Sequence, residues 1–243
     1  MRLTDKNSIS EALKAGRKVY SIGISPAAAS DQRIGEIVKL AGRLGVPTRE
    51  LPNVNTERRR GERLPAVEAR CADYEYADLE RVRESAASAG KKALIVALDH
   101  VQDPHNLGAI IRTAAAAKAG GVIIEKKRSC DVTDAVYEIS RGGADRVPVI
   151  MVSNLRSALR ELKKWGCWIA GADERAEKDC FNEDLAGVSV LVLGAEGGGL
   201  SRLIREECDF LVRVPASCEF PSLNVSVAAG ILIFEALRQK KNY

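Results

Sequence analysis

The chain has 243 residues, 46% apolar and 29% charged, with 37 Lys and Arg against 33 Asp and Glu for a formal net charge of +4. So much apolar content excludes a disordered chain, and the length allows one large domain or two smaller ones. The slight basic excess excludes a polycation but leaves room for a local patch that meets nucleic acid.

No apolar run follows the opening Met1-Arg2-Leu3-Thr4-Asp5-Lys6, and none elsewhere approaches membrane-spanning length. The expectation is a cytoplasmic protein, neither secreted nor membrane-bound. The six cysteines (Cys71, Cys130, Cys167, Cys180, Cys208, Cys218) form no Cys-x-x-Cys pair and are expected as reduced thiols. The two histidines, His100 and His105, lack the i, i+4 spacing of a metalloprotease pair, so no metal site is expected.

In chain order, residues 1–72 read as a small α/β domain. Ser8 to Ala15 is a short helix closed by Gly16, Val19 to Ile24 alternates as a strand does, and Asp31 to Leu44 carries Ile34, Ile37, Val38, Ala41 and Leu44 on one helical face. A further strand is expected over Val46 to Leu51. Arg58, Arg59, Arg60 and Arg63 follow as a basic run, either a solvated turn or a nucleic acid contact. Residues 73–90, poor in apolar periodicity, read as a linker with room for one helix.

From residue 91 to 243 strands and helices alternate. Apolar runs at Ala93–Leu98, Gly121–Ile124, Val147–Val152, Cys167–Ala170, Val188–Leu193 and Phe210–Val214 have the continuous character of strands buried on both faces. Helical stretches at Leu107–Ala119, stopped by Gly120 and Gly121, and at Asn154–Trp165, closed by Gly166, stand between them. The fold class is therefore α/β: a mostly parallel sheet with helices on both faces. The last helix, Val225–Gln239, is apolar nearly all round and must be covered all round, by a second subunit or by burial within one chain; the homodimer is the favoured expectation.

Three stretches carry candidate chemistry. Asp103-Pro104-His105-Asn106-Leu107-Gly108 fits neither a dinucleotide nor a phosphate-loop fingerprint. Asn106 stands at the helix start, where it is a cap or a ligand group, and Arg112 follows in an Ala-rich apolar helix, where a guanidinium calls for an anionic partner. Gly194-Ala195-Glu196-Gly197-Gly198-Gly199 allows close backbone approach and sets Glu196 among glycines. Ser222-Leu223-Asn224 opens the last helix.

With Arg112, with Leu193 through Gly197, and with Pro215 through Ala228, these stretches closely resemble the three ordered motifs of the SPOUT class, TrmH type, the S-adenosylmethionine-dependent RNA ribose 2′-O-methyltransferases. The resemblance spans Ala93 to Lys240; Met1 to about Cys71 more faintly resembles the RNA-binding domain ahead of the catalytic domain in the rRNA-modifying branch. It implies a C-terminal trefoil knot, a methyl donor held by backbone at Gly194, Val214 and Leu223 with Gly197 beside them, and a catalytic neighbourhood of Asn106, Arg112, Glu196, Ser222 and Asn224 in a site shared by two subunits. Relatives usually have Met and Gly where this chain has Ala216 and Cys218. The implied substrate is structured RNA, rRNA before tRNA and guanosine favoured, with Arg58, Arg59, Arg60, Arg63, Lys126, Lys127 and Arg128 as candidate contacts. The competing expectation is an RNA-binding or assembly factor of the same fold that transfers no methyl group.

Overall fold

Two sheets carry the chain over the described residues 1–51, 65–89, 94–195, 197–216 and 223–240 of a computed structural model. Arg58, Arg59, Arg60, Arg63, Glu196, Cys218 and Ser222 lie outside the described residues.

The first sheet has the order β1-β4-β2-β3. It is built from β1 (Arg2–Leu3), β2 (Val19–Ile24), β3 (Thr48–Glu50) and β4 (Val67–Cys71), with helices α1 (Lys6–Lys14) and α2 (Gln32–Arg43). Both helices start under an aspartate: Asp5 accepts the Ser8 N–H at 2.9 Å, and Asp31 accepts those of Arg33 and Ile34 at 3.0 and 3.2 Å. Ile34, Ile37 and Ala41 turn into the core as their spacing predicts, while Leu44 stays exposed. The strand expected over Val46–Leu51 shrinks to three residues. Two strands escape the sequence pattern, one because it is two residues long and the other, β4, because it carries Glu68. That buried carboxylate is surrounded by Arg2 at 2.9 Å, Arg49 at 3.7 Å and Arg70 at 3.8 Å, which offsets its desolvation.

The second sheet is parallel throughout, in the order β10-β8-β9-β5-β6-β7. Its strands are β5 (Ile95–Leu98), β6 (Gly121–Glu125), β7 (Val149–Val152), β8 (Ile169–Ala172), β9 (Val190–Leu193) and β10 (Phe210–Val212). The helices are α3 (Leu79–Ala89), α4 (Pro104–Ala116), α5 (Asp134–Ile139), α6 (Leu155–Lys164), α7 (Arg202–Arg205) and α8 (Val225–Gln239). Alternation along β5 divides the core. Val96 and Leu98 join Leu107, Ile110, Ile111, Leu232 and Ile233 of α4 and α8 on one face, whereas Ile95 and Ala97 join Val82 of α3, Leu155, Leu159 and Leu162 of α6 and Ile204 of α7 on the other. Among the described residues no helix is long and apolar enough to cross a membrane.

The expected helix Leu107–Ala119 is displaced toward the N-terminus. Pro104 takes its first position, where a missing N–H costs nothing, Asp103 caps it by accepting the His105 N–H at 3.1 Å, and Lys118 in the left-handed region (φ 52°) ends it. Gly121 starts β6 instead of stopping the helix. Asn106 is consequently not the cap.

Residues 73–89, expected as a linker, lie against the second sheet: Ala77 bridges Ile150, the Tyr76 hydroxyl accepts the Val132 N–H at 2.8 Å, and Val82 is buried. The two sheets meet over a polar cluster. Arg17 pairs with Asp145 at 2.5 Å and lies 5.1 and 4.9 Å from the ring centres of Tyr74 and Tyr137. The Tyr137 hydroxyl donates to the same carboxylate, and the carboxylate of Glu138 accepts from the Thr4 hydroxyl and the Asp5 N–H. Burial and the Asp145 carboxylate both push the Tyr137 phenol well above the usual range, so it stays a donor. Asp145→Ala leaves the buried guanidinium of Arg17 without its acid and should cost about 3 kcal/mol of stability, read from urea unfolding.

Candidate nucleotide-binding and RNA-facing site

In an open parallel sheet, ligands gather in the crevice outside the carboxyl ends of the strands. Here that edge carries all three sequence motifs.

Strand β9 ends at Leu193 and runs into Gly194, which is buried. The chain then turns back on itself: the Gly199 N–H donates to the Ala195 carbonyl at 2.9 Å, with Gly197 (φ 75°) and Gly199 (φ 60°) in the left-handed region. The turn closes so tightly that a Cβ on Gly194 would lie 2.1 Å from the carbonyl carbon of Gly199. Its far end is held from the neighbouring strand. Asp99, which follows β5 and is 1% exposed, accepts the Ser201 N–H at 2.7 Å, while its own N–H donates to the Leu193 carbonyl at 2.8 Å.

The turn walls one side of a cleft that opens to solvent. Gly194, Gly197, Val214 and Leu223, four residues singled out from the motifs, all line it. Leu193, Val212, Val225 and Leu232 make an apolar floor. Asp173 and Glu174, at the end of β8, supply the acidic rim. Asp173 is buried, accepts the Arg175 N–H at 2.9 Å and pairs with Arg205 at 2.5 Å. Neither acid belongs to a sequence motif; their place at the end of a parallel strand beside the glycine loop is the signal that marks them.

Asn224 caps α8 by accepting the Ser226 N–H at 2.9 Å, and its amide donates to the Asn106 side-chain carbonyl, also at 2.9 Å. Asp103 supplies the α4 cap, and the side chain of Asn106 joins the first motif to the third. Asn106 is 6% exposed, so this bond also satisfies a group that would otherwise be costly to bury. Arg112 departs from expectation: it is exposed, not embedded beside the core, and no described acid lies within ion-pair distance of it. It is also outside the lining of its own chain's cleft. Lys126, Lys127 and Arg128 are exposed just past the end of β6, two strands along the same edge from the glycine turn. Glu196, Ser222 and the arginines at 58, 59, 60 and 63 lie outside the described residues, so their placement is not part of this geometry.

The five described cysteines are free thiols, as expected. Burial pushes Cys71 and Cys180 up to about 11 and Cys208 up to about 12, which keeps them protonated and unreactive. Among the described residues no group of His, Cys, Asp and Glu is arranged to hold a metal ion.

Residues 93–234 match the model of the SpoU rRNA methylase family. The 23S rRNA (guanosine-2′-O-)-methyltransferase RlmB of Xylella fastidiosa strain 9a5c is 48% identical over 180 residues, 74% of this chain and 72% of that protein. RlmB of Xanthomonas axonopodis pv. citri is 44% identical over 221 residues, 88% and 86% of the two chains. Among solved structures, the SpoU methyltransferase AviRb from Streptomyces viridochromogenes, in complex with AdoMet, superposes with a TM-score of 0.83 at 24% identity, over 100% of this chain and 91% of that one. The A. aeolicus TrmH/SpoU tRNA modifying enzyme is 33% identical with a TM-score of 0.55, over 67% and 82%.

Gly194→Ala forces a methyl group into the Gly199 backbone and should abolish binding of S-adenosylmethionine measured by calorimetry. Gly35→Ala, in α2 with nothing within 4 Å of the added carbon, is the control and should leave it unchanged.

Proposed function

The chain belongs to the SpoU rRNA methylase family, and from that membership we infer that it transfers the methyl group of S-adenosylmethionine to a ribose 2′-hydroxyl of rRNA, at a guanosine. The observation that carries the reading is the convergence of Gly194, Gly197, Val214 and Leu223 on one cleft beside the Asn106–Asn224 pair.

The cleft suits the cofactor. Its apolar floor accepts a purine ring, the glycine turn closed against Gly194 presents backbone rather than side chain to the ligand, and Asp173 and Glu174 offer acceptors for hydroxyl or ammonium groups. Bound there, S-adenosylmethionine supplies a methyl group on a positively charged sulfur, open to attack by an alcohol oxygen.

The chain's own task is to position that alcohol. An in-line displacement gains much of its rate from holding the reacting atoms at contact distance. Asn106 and Asn224 fix the first and third motifs against each other, and Glu196 and Ser222 complete the catalytic neighbourhood. Arg112 grips the phosphate next to the target ribose with its planar fork and steers the hydroxyl toward the methyl group. The hydroxyl gives its proton to the neighbouring phosphate, to water or to Arg112 itself as its oxygen takes the methyl group and S-adenosylhomocysteine leaves.

The site is completed by a second subunit. Arg112 points to solvent outside its own cleft, and α8 buries Val225, Ala229, Leu232, Ile233 and Ala236 yet leaves Val227 and Phe234, seven residues apart on one face, 50% and 46% exposed. Leu223, on the cleft wall, is 39% exposed on the approach to the same helix. A homodimer formed through α8 covers this surface. The C-terminal trefoil knot belongs to the same reading, and supporting it, residues 183–188 clasp the end of α8: Lys240 donates to the Val188 carbonyl at 2.7 Å and Gln239 to that of Glu183 at 2.9 Å. The first sheet, with residues 58–63, serves as the RNA-binding domain, residues 91–243 as the methyltransferase domain, and the protein works in the cytoplasm.

Arg112→Lys keeps the charge and loses the fork. It should lower kcat at least tenfold with S-adenosylmethionine affinity unchanged, a loss on the scale of one charge-assisted bidentate contact. Unchanged methyl transfer to rRNA would remove Arg112 from the reaction, and transfer to tRNA alone would move the substrate. Phe234→Glu should turn the dimer into a monomer by light scattering and abolish activity with it.

A further inference from the structure

Among the described residues three that are not glycine have a positive φ: His100 (62°), Lys118 (52°) and Arg141 (56°). Lys118 and Arg141 each stand just past the cap of a helix, α4 and α5, where the left-handed conformation is the ordinary way to finish. His100 follows a strand and finishes no helix. A side chain in that conformation costs about 1–2 kcal/mol, and such outliers persist where something holds them and where they serve a site.

What holds His100 is Asp99. One carboxylate oxygen of this buried residue takes the Ser201 N–H, and the other meets the Nδ1 of His100. The same aspartate thus fixes the glycine turn of the cleft and the ring of the histidine. With Nδ1 donating to the carboxylate, the Nε2 faces outward, where Arg128 lies 3.3 Å away and the imidazole is 30% exposed. Arg128 has no described acid within ion-pair distance. Its described polar side-chain contact is the one to His100, and its own N–H donates to the Glu125 backbone carbonyl at 3.4 Å. Along the strand edge the order is cleft (β10, β8, β9), then Asp99 and His100 (β5), then Arg128 (β6), so the pair lies one and two strands along the same edge from the cleft.

We propose that His100, held by Asp99, and Arg128 form a phosphate-binding pair that seats the RNA backbone beside the methyl-transfer cleft. Resting on the RNA methyltransferase reading, it adds a contact residue that lies in none of the roles derived above. The chemistry matches a phosphodiester: a planar guanidinium offers parallel N–H donors, and the imidazole, its Nδ1 held by the Asp99 carboxylate, turns its outer ring edge to the same phosphate. The bond between Arg128 and Nε2 is exchanged for bonds from both groups to the phosphate.

The test is direct binding of an rRNA fragment, followed by fluorescence anisotropy over a salt series, for the wild type, His100→Gly, Arg128→Gln and the double variant. Glycine tolerates a positive φ, so in His100→Gly the relieved backbone offsets the lost hydrogen bond to Asp99, and the variant should melt within a few degrees of the wild type. It should nonetheless weaken RNA binding about tenfold, the worth of one charge-assisted hydrogen bond, with S-adenosylmethionine affinity unchanged. Arg128→Gln should do the same, the salt slope should fall by roughly 0.7 to 0.9 for a lost phosphate contact, and the double variant should lose less than the product of the single losses. RNA affinity of His100→Gly within twofold of wild type, or loss of affinity with an unchanged salt slope, overturns the pair. RNA bound in this manner but never methylated would instead overturn the catalytic reading and leave the pair standing.

Discussion

The organising constraint in this protein is the absence of a side chain at Gly194. Strand β9 delivers the chain to the sheet edge, and the next residues must turn back within hydrogen-bonding reach of the strand they have just left. The Gly199 carbonyl group comes to rest where any Cβ at 194 would stand. That closure gives the cleft its wall of exposed backbone. The far end of the turn is then fixed from outside, by the buried carboxylate of Asp99 on the neighbouring strand. A wall made of backbone and clamped at both ends can lie close to a ligand without spending side-chain entropy on doing so.

The same logic extends along the edge. Parallel strands bring the ends of β8, β9 and β10 to the cleft and those of β5 and β6 to its flank, while α4 and α8 pack side by side behind them. Asn106 and Asn224, 118 positions apart, meet because their helices do. The first sheet is tied to this body by a buried ion pair, Arg17 with Asp145, between two tyrosine rings. A buried pair of this kind is a modest source of net stability but a strict one for geometry, since either partner alone is costly. The geometry it imposes seats the first sheet on the segment just after α5, where a Cβ on Gly143 would lie 3.3 Å from the Cα of Arg112.

Much of this was legible in the sequence, and the boundary follows from the range of the forces involved. Continuous apolar runs located every strand of the parallel sheet, and α8 begins and ends where its pattern does. The motif residues Gly194, Gly197, Val214 and Leu223 share a cleft because the two stretches that carry them leave the ends of β9 and β10 on the same sheet edge. What remained hidden depends on partners distant in sequence. Strand β4 reads as too charged until three arginines are placed around Glu68. Asn106 looks like a cap until Asp103 and Pro104 are seen to start the helix. Arg112 looks buried because its neighbours are alanines, yet its face of α4 is the outer one. Asp99 and His100 give no periodic signal; their roles rest on a hydrogen bond across 102 positions and on one backbone angle.

The central claim is that a cleft built around Gly194 directs a methyl group to a ribose of rRNA. Mapping 2′-O-methylation at nucleotide resolution across total RNA, from cells with the protein, without it, and with only the Gly194→Ala form, tests this most directly. The account predicts one guanosine in rRNA whose 2′-O-methyl mark is present in the first and missing from the other two. An unchanged methylation map in all three would contradict it.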